Sequence, residues 1–212
     1  MMLRAPAWLF LAAVATAAGC GAAPTGPHFT DADYPGVLRA PAALGIDVVW
    51  QQRVTAAWRG GQQRGFDAAI QKRGDKLSVL GLSPTGSLGF AFVLQDGAIA
   101  VTNNTAMELP FPPRFILLDV QRAFYPWLAG DSDDGVVDGE HVVQRRDDRG
   151  RLVERRFRRV EGPPAGEIVV RYEWGNPEWA APTRAELDNG WFGYRLTVDT
   201  HAETRLPQKA GQ

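Results

Sequence analysis

Leu109-Pro-Phe-Pro-Pro-Arg-Phe-Ile-Leu-Leu-Asp-Val-Gln-Arg-Ala-Phe-Tyr-Pro-Trp127 separates two halves of a chain that is otherwise patterned for β-structure. Pro112 and Pro113 stand where a helix starts, because the N–H that proline lacks has no intrahelical partner there. Pro126 closes the helix, since a proline pushes the residue before it out of the α region. Between them Ile116, Val120, Ala123 and Trp127 fall on one face at helical spacing, flanked by Leu117 and Phe124. The opposite side carries Phe115, Leu118 and Tyr125 among Asp119, Gln121 and Arg122. A helix that is apolar nearly all round is covered on both sides. It is either a core helix packed on a sheet or a lid over an apolar cavity.

Upstream, five strands with short turns predict an antiparallel meander. Ala42 to Trp50 opens the first, in which Val48, Trp50, Val54, Ala56 and Trp58 share a face. Phe66, Ala68 and Ile70 alternate in the second. Lys76 to Leu82 is the third. In Leu88 to Leu94 the large residues Leu88, Phe90, Phe92 and Leu94 take one face and Gly89, Ala91 and Val93 the other, so both faces are expected to be covered. Asp96-Gly97 turns into Ala98 to Thr102. Downstream, five more strands are expected near His141 to Arg146, Arg151 to Arg159, Glu167 to Trp174, Thr183 to Asp188 and Trp191 to Thr200. Asn189-Gly190 is a hairpin signal between the last two. The fold class is mainly β: an antiparallel curved sheet or half-open barrel of about ten strands, capped by the helix.

The 212 residues suffice for one domain with a sizeable core, and 23 basic against 24 acidic residues argue against a nucleic-acid partner. The first residues form an export signal. Arg4 supplies a positive start, Trp8 to Val14 an apolar run too short to span a bilayer, and Ala17-Ala-Gly-Cys20 a small-residue cleavage point. The only cysteine of the chain stands there. The pattern resembles a bacterial lipobox, in which Cys20 becomes the lipidated first residue and several acyl chains anchor it stably. Gly21, not Asp, follows the cysteine, which points to the outer membrane. The expected organisation is a signal peptide over 1–19, a tether over 20–34, one domain over 35–206 and a tail over 207–212.

The chemistry-bearing residues assemble no catalytic site. His28, His141 and His201 lie far apart and have no metal spacing. Gly130-Asp-Ser-Asp-Asp-Gly135 lacks the closing Glu of a calcium loop and reads as a solvated loop. Gly81-Leu-Ser-Pro-Thr-Gly86 is not a nucleophile elbow, and Pro84 removes an N–H that an oxyanion hole would need. No phosphate loop or cofactor motif occurs. Asp119 and Arg122 can pair at i, i+3. The alternative for them is polar contact with a ligand head, or with a loop that latches the helix. From Arg145 to Arg159 there are eight arginines. They either protect an edge hairpin from pairing with other chains, or they contact anionic lipid heads or an acidic partner through Arg155, Arg156, Arg158 and Arg159.

Gly81-Leu-Ser-Pro-Thr-Gly86, Arg114 to Trp127 and Gly193-Tyr-Arg-Leu-Thr-Val-Asp199 together resemble a family of small bacterial lipoproteins catalogued as a domain of unknown function. Its members are often encoded beside lipid-handling and exporter genes, including aryl-polyene pathways. The Leu118-Asp-Val-Gln121 and Tyr125-Pro-Trp127 pieces are the most specific part. The family is similar to LolA- and LolB-like proteins, half-open barrels with helical lids that carry acyl chains. The resemblance implies a non-catalytic, outer-membrane-anchored carrier or acceptor of a lipid or acyl chain on the periplasmic face. The rival expectation is a scaffold lipoprotein docked on a periplasmic carrier or exporter, with no ligand of its own. The cavity is expected between Leu88, Phe90, Phe92 and Leu94 on the sheet and Ile116, Val120, Ala123 and Trp127 on the helix. No cofactor and no metal are expected.

Overall fold

The computed structural model describes residues 29–83, 85–105 and 111–207. The signal peptide, Cys20, His28, Pro84, Leu109 and residues 208–212 lie outside the described residues. In chain order the elements are β1 (Val48–Trp58), β2 (Gln63–Arg73), β3 (Lys76–Leu82), β4 (Leu88–Gln95), β5 (Ala98–Asn103), α1 (Pro113–Phe124), β6 (Asp134–Val137), β7 (Glu140–Arg146), β8 (Leu152–Arg159), β9 (Glu167–Glu173), β10 (Arg184–Asn189) and β11 (Tyr194–Arg205). Short 3-10 turns occupy Asp31–Asp33 and Pro41–Leu44.

Among the described residues the eleven strands form one curved antiparallel sheet, ordered β5-β4-β3-β2-β1-β11-β10-β9-β8-β7-β6. Every strand but one pair is joined to its neighbour in sequence. The exception is the central seam, where β1 pairs with β11 from Val48 opposite Arg205 to Trp58 opposite Tyr194. The sheet does not close: β5 and β6 are its two edges. They are also the strands on either side of α1 in sequence, so the helix carries the chain from one edge to the other across the inner face.

The expected curved sheet with a capping helix is what forms, with eleven strands rather than ten. The extra one, β6, begins in the last two residues of the stretch that reads as an acidic loop, Asp134 and Gly135, and continues through Val137. Asp138-Gly139 is the reason: both residues take positive φ (52° and 76°) and make a two-residue turn from Val137 to Glu140. Asn189-Gly190 turns differently from the sequence reading. Pairing stops at Asn189 opposite Tyr194, leaving a loop over 190–193. Gly190 is needed for space, since a Cβ there would lie 2.6 Å from the Glu167 carbonyl oxygen. Before β1, Pro41–Leu44 is a 3-10 turn and not the start of the strand. In β4, α1 meets only the side of Phe92 and Leu94; Val93 on the other side is half-buried, and Ala100 opposite it in β5 is exposed.

Residues 29–34 belong to the packed domain and not to the tether. Tyr34 is fully buried, and the Phe29 ring lies 5.5 Å from Phe111 and 5.2 Å from Phe192. The chain from Phe29 to Val48 is a strap laid along α1. Two apolar clusters flank the helix. One joins Phe115, Leu118 and Trp127 to Val142, Phe157 and Ile168. The other joins Leu117 and Tyr125 to Trp50, Leu77, Phe92 and Leu94.

Candidate functional site

The helix begins as its prolines dictate. Pro112 is the N-cap and Pro113 the first helical residue, and Tyr125 leaves the helix in an extended conformation before Pro126. Its last carbonyls are satisfied by side chains: Trp127 Nε1 donates to the Gln121 oxygen at 3.0 Å, and Arg155 Nη1 to those of Arg122 and Tyr125 at 2.8 and 2.9 Å.

The polar residues of α1 are the buried ones. Asp119, Gln121 and Arg122 are 3%, 0% and 0% exposed. Each binds the strap or a strand. The Gln121 side-chain amide exchanges two 2.8 Å hydrogen bonds with the backbone of Arg39. Arg122 Nη2 donates to the Pro35 oxygen and to Glu140 Oε1, both at 2.7 Å, and the guanidinium lies 4.6 Å from the centre of the Tyr34 ring. Gly36 makes that approach feasible: a Cβ there would sit 2.7 Å from Arg122 Nη2. The two oxygens of Asp119 accept short hydrogen bonds from the Tyr34 and Tyr194 hydroxyls, and Asn189 Nδ2 donates to both hydroxyls at 2.9 and 2.8 Å. The local pair survives only as a 3.9 Å contact between Asp119 and Arg122. A loop latching the helix is what these residues serve. Burial pushes the Asp119 carboxyl up to about 6, against the pull of Arg122 and the two hydroxyls. Burial also raises Glu140 and drives both tyrosines well above the usual phenol range.

The apolar residues Ile116, Val120 and Phe124 are only half-buried, because they face a hollow of about 160 Å³ between the helix and the sheet. Its roof is Phe115, Ile116, Asp119, Val120, Ala123 and Phe124. The floor is built from β1, β2, β10 and β11, with Val79 and Phe90 from β3 and β4. Space exists there because inward positions of central strands stop at a methyl group: Ala56, Ala68 and Ala185. Gly81 does the same for Phe90, whose ring lies where a Cβ would be, at 2.2 Å. Carbon makes up nearly all of the lining. Asp119 is its one ionisable carboxyl, beside Tyr194 and Gln52.

Of the eight residues expected to line the cavity, Phe90, Ile116, Val120 and Ala123 do so. Phe92 and Leu94 lie in the packed cluster beside it, and Leu88 is 38% exposed beyond a register shift after Gly81. Trp127 turns away after the helix ends and packs on Phe157 at 5.0 Å. The β10 and β11 contribution was not foreseen, although the alternation of Leu196 and Val198 in β11 was visible.

The arginine run splits by strand alternation. Arg155 shares the inner side of β8 with Phe157 and is 5% exposed, so it is not a surface contact. Arg156 points outward and pairs with Glu154 and Glu167 at 2.9 and 3.0 Å. It belongs to a lattice across the outer faces of β8 to β11 that includes Arg171–Glu154, Arg195–Asp188 and Arg184–Asp199. Arg158 and Arg159 are directed to His141 Nδ1 and the Gly139 oxygen, each at 3.5 Å. Among the described residues no cluster of three or more His, Cys, Asp or Glu suits a metal, and no helix is long and apolar enough to cross a membrane.

None of the curated proteins matches the chain. Among solved structures, it is similar to a LolA superfamily protein from Nitrosomonas europaea, with 14% identity over 79% of this chain and 91% of that one and a TM-score of 0.49. It is also similar to a domain from Vibrio parahaemolyticus named for outer membrane lipoprotein sorting, with 11% identity over 78% and 87% and a TM-score of 0.44. The family expectation is borne out by residues 49–202, which match the model described as protein of unknown function (DUF3261). That match spans well over half of the chain, and the protein belongs to this family.

Proposed function

We propose that the protein is a non-catalytic carrier or acceptor of a lipid or similar amphiphile, whose apolar end occupies the hollow under α1. The observation that carries this reading is the exposure pattern of the helix. Its apolar side faces unfilled space while its polar side is buried and bonded. A cavity of roughly 150 Å³ lined by carbon stays dry and takes small apolar molecules. Sites for whole drug-sized ligands run to roughly 300–1,000 Å³, so this hollow suits the end of a chain rather than an entire molecule. In the same reading Cys20 carries the acyl anchor and the domain faces the periplasm from the outer membrane. Cys20→Ser then leaves uncleaved precursor, or protein that no longer partitions with membranes.

Val120→Trp tests the hollow, with thermal melting and displacement of a fluorescent fatty acid from the full chain. Filling empty space holds or raises stability and lowers probe capacity. Overpacking a filled core costs about 1–3 kcal/mol. A marked loss of stability, with no probe bound by wild type, would favour a solidly packed scaffold that partners an envelope exporter.

A further inference from the structure

A second cavity, of about 340 Å³, lies beyond the C-terminal end of α1 and shares only Ala123 and Phe124 with the hollow. Trp127, Tyr172 and Trp174 give it aromatic walls, and Arg146, Arg151 and Arg155 line it as well. Two of these arginines have acidic partners, Arg146 with Asp133 at 3.1 Å and Arg151 with Asp147 at 2.9 Å. Arg155, the most buried of the three at 5% exposure, has none. Its Nε donates to Gln144 Oε1 at 2.9 Å and its Nη1 to the carbonyls of Arg122 and Tyr125. All of these partners are neutral, and Nη2 hydrogen-bonds to none of the described residues.

A buried cation without a counter-ion is costly. The carbonyl end of α1 offsets part of that cost through its partial negative charge. Burial, with Arg146 and Arg39 nearby, still holds the Arg155 pKa below the usual guanidinium value. A negative charge in the cavity would reverse that.

We propose that this cavity binds an oxyanion, a carboxylate or phosphate carried on an apolar or aromatic body, with Arg155 as its counter-ion. The free N–H groups of the guanidinium meet the oxyanion, and the tryptophan and tyrosine walls hold the body. The anion is either a small molecule held here alone or the head of an amphiphile whose tail runs past Phe124 into the hollow. The inference does not rest on the carrier reading.

Calorimetric titration of the full chain tests it with phenylacetate, its neutral amide, inorganic phosphate and dodecanoate. Phenylacetate is expected to bind at least tenfold more tightly than phenylacetamide. Arg155→Met should lose tenfold or more in affinity for the anions, Arg155→Lys should recover part of it, and Arg156→Met should bind like wild type. Val120→Trp separates the sources: weaker dodecanoate with unchanged phenylacetate places a tail in the hollow. Dodecanoate and phenylacetate both unchanged would support an anion site independent of the hollow and count against the carrier reading alone. The inference is overturned if wild type binds none of the three anions, if it binds acid and amide alike, or if Arg155→Met matches wild type. Should Arg155→Met not fold, the comparison of acid with amide on wild type decides by itself.

Discussion

The two sides of α1 invert the usual order of burial. On the side away from the hollow Gln121 and Arg122 are sealed from water, and so is Asp119 at the rim of the hollow. On the other Ile116, Val120 and Phe124 are only half-buried. The difference teaches how a helix can be fixed firmly while one of its faces stays unfilled. Polar side chains lock it to the strap and to Glu140, where each hydrogen bond needs one geometry. The apolar face is then free of packing duty, and the alanines below it leave space. A helix held only by its apolar stripe would have to fill that space to stay in place.

The largest effect is expected from breaking the latched side. Arg122→Met leaves Glu140 buried without its partner, and removing one member of a buried pair costs about 3–5 kcal/mol. Urea unfolding measures it, and a loss under about 1 kcal/mol would show that the latch is not what holds the helix. Equal truncations on the two sides sharpen the contrast. Leu118→Ala, in full contact, should cost about 3–4 kcal/mol, whereas Ile116→Ala removes atoms that already face a void and should cost under about 2. Similar losses at both positions would mean that the hollow is filled in solution.

Asp119 gives a smaller, pH-dependent effect. Its folded pKa of about 6 stands above the ordinary 3.8, so the folded chain holds a proton that the unfolded chain has released. Its contribution is present below pH 3.8 and lost as pH rises through about 6, by about 1–3 kcal/mol. The melting temperature of wild type should therefore fall relative to Asp119→Asn between pH 4 and 7. A parallel pair of curves would contradict the assigned burial. Smallest of all is the change in stability for Val120→Trp, near zero or slightly favourable, read in the same melts.

The helix and most strands were legible because prolines, turns and alternation act locally. Pro112, Pro113 and Pro126 mark the ends of α1 almost to the residue. Helical spacing puts Ile116, Val120, Ala123 and Trp127 on one face, and the first three of them meet the hollow while Trp127, beyond the helix end, does not. What was not legible depends on contacts distant in sequence. Asp119 reads as a local partner of Arg122, yet its main partners, Tyr34 and Tyr194, lie 85 and 75 residues away. Arg155 sits in a run that looks like a solvated surface, and only its parity with Phe157 in β8 shows that it points inward. Residues 29–34 read as tether because Gly and Pro precede them, though Phe29 and Tyr34 are the apolar signal against it.

The strap also sets a leash. Phe29 rests on Phe111, and Phe111 lines the hollow, so the chain enters the domain beside the cavity wall. Eight residues separate Cys20 from Phe29, and the nine Cα-to-Cα steps, fully stretched, reach at most roughly 30 Å. The twelve residues of β11 alone run about 40 Å. With Cys20 lipidated, as proposed, the leash is shorter than the domain is long. The bilayer then meets the end of the domain that holds the cavity wall, and the opposite pole near Val48 and Arg205 is held toward whatever approaches from the far side.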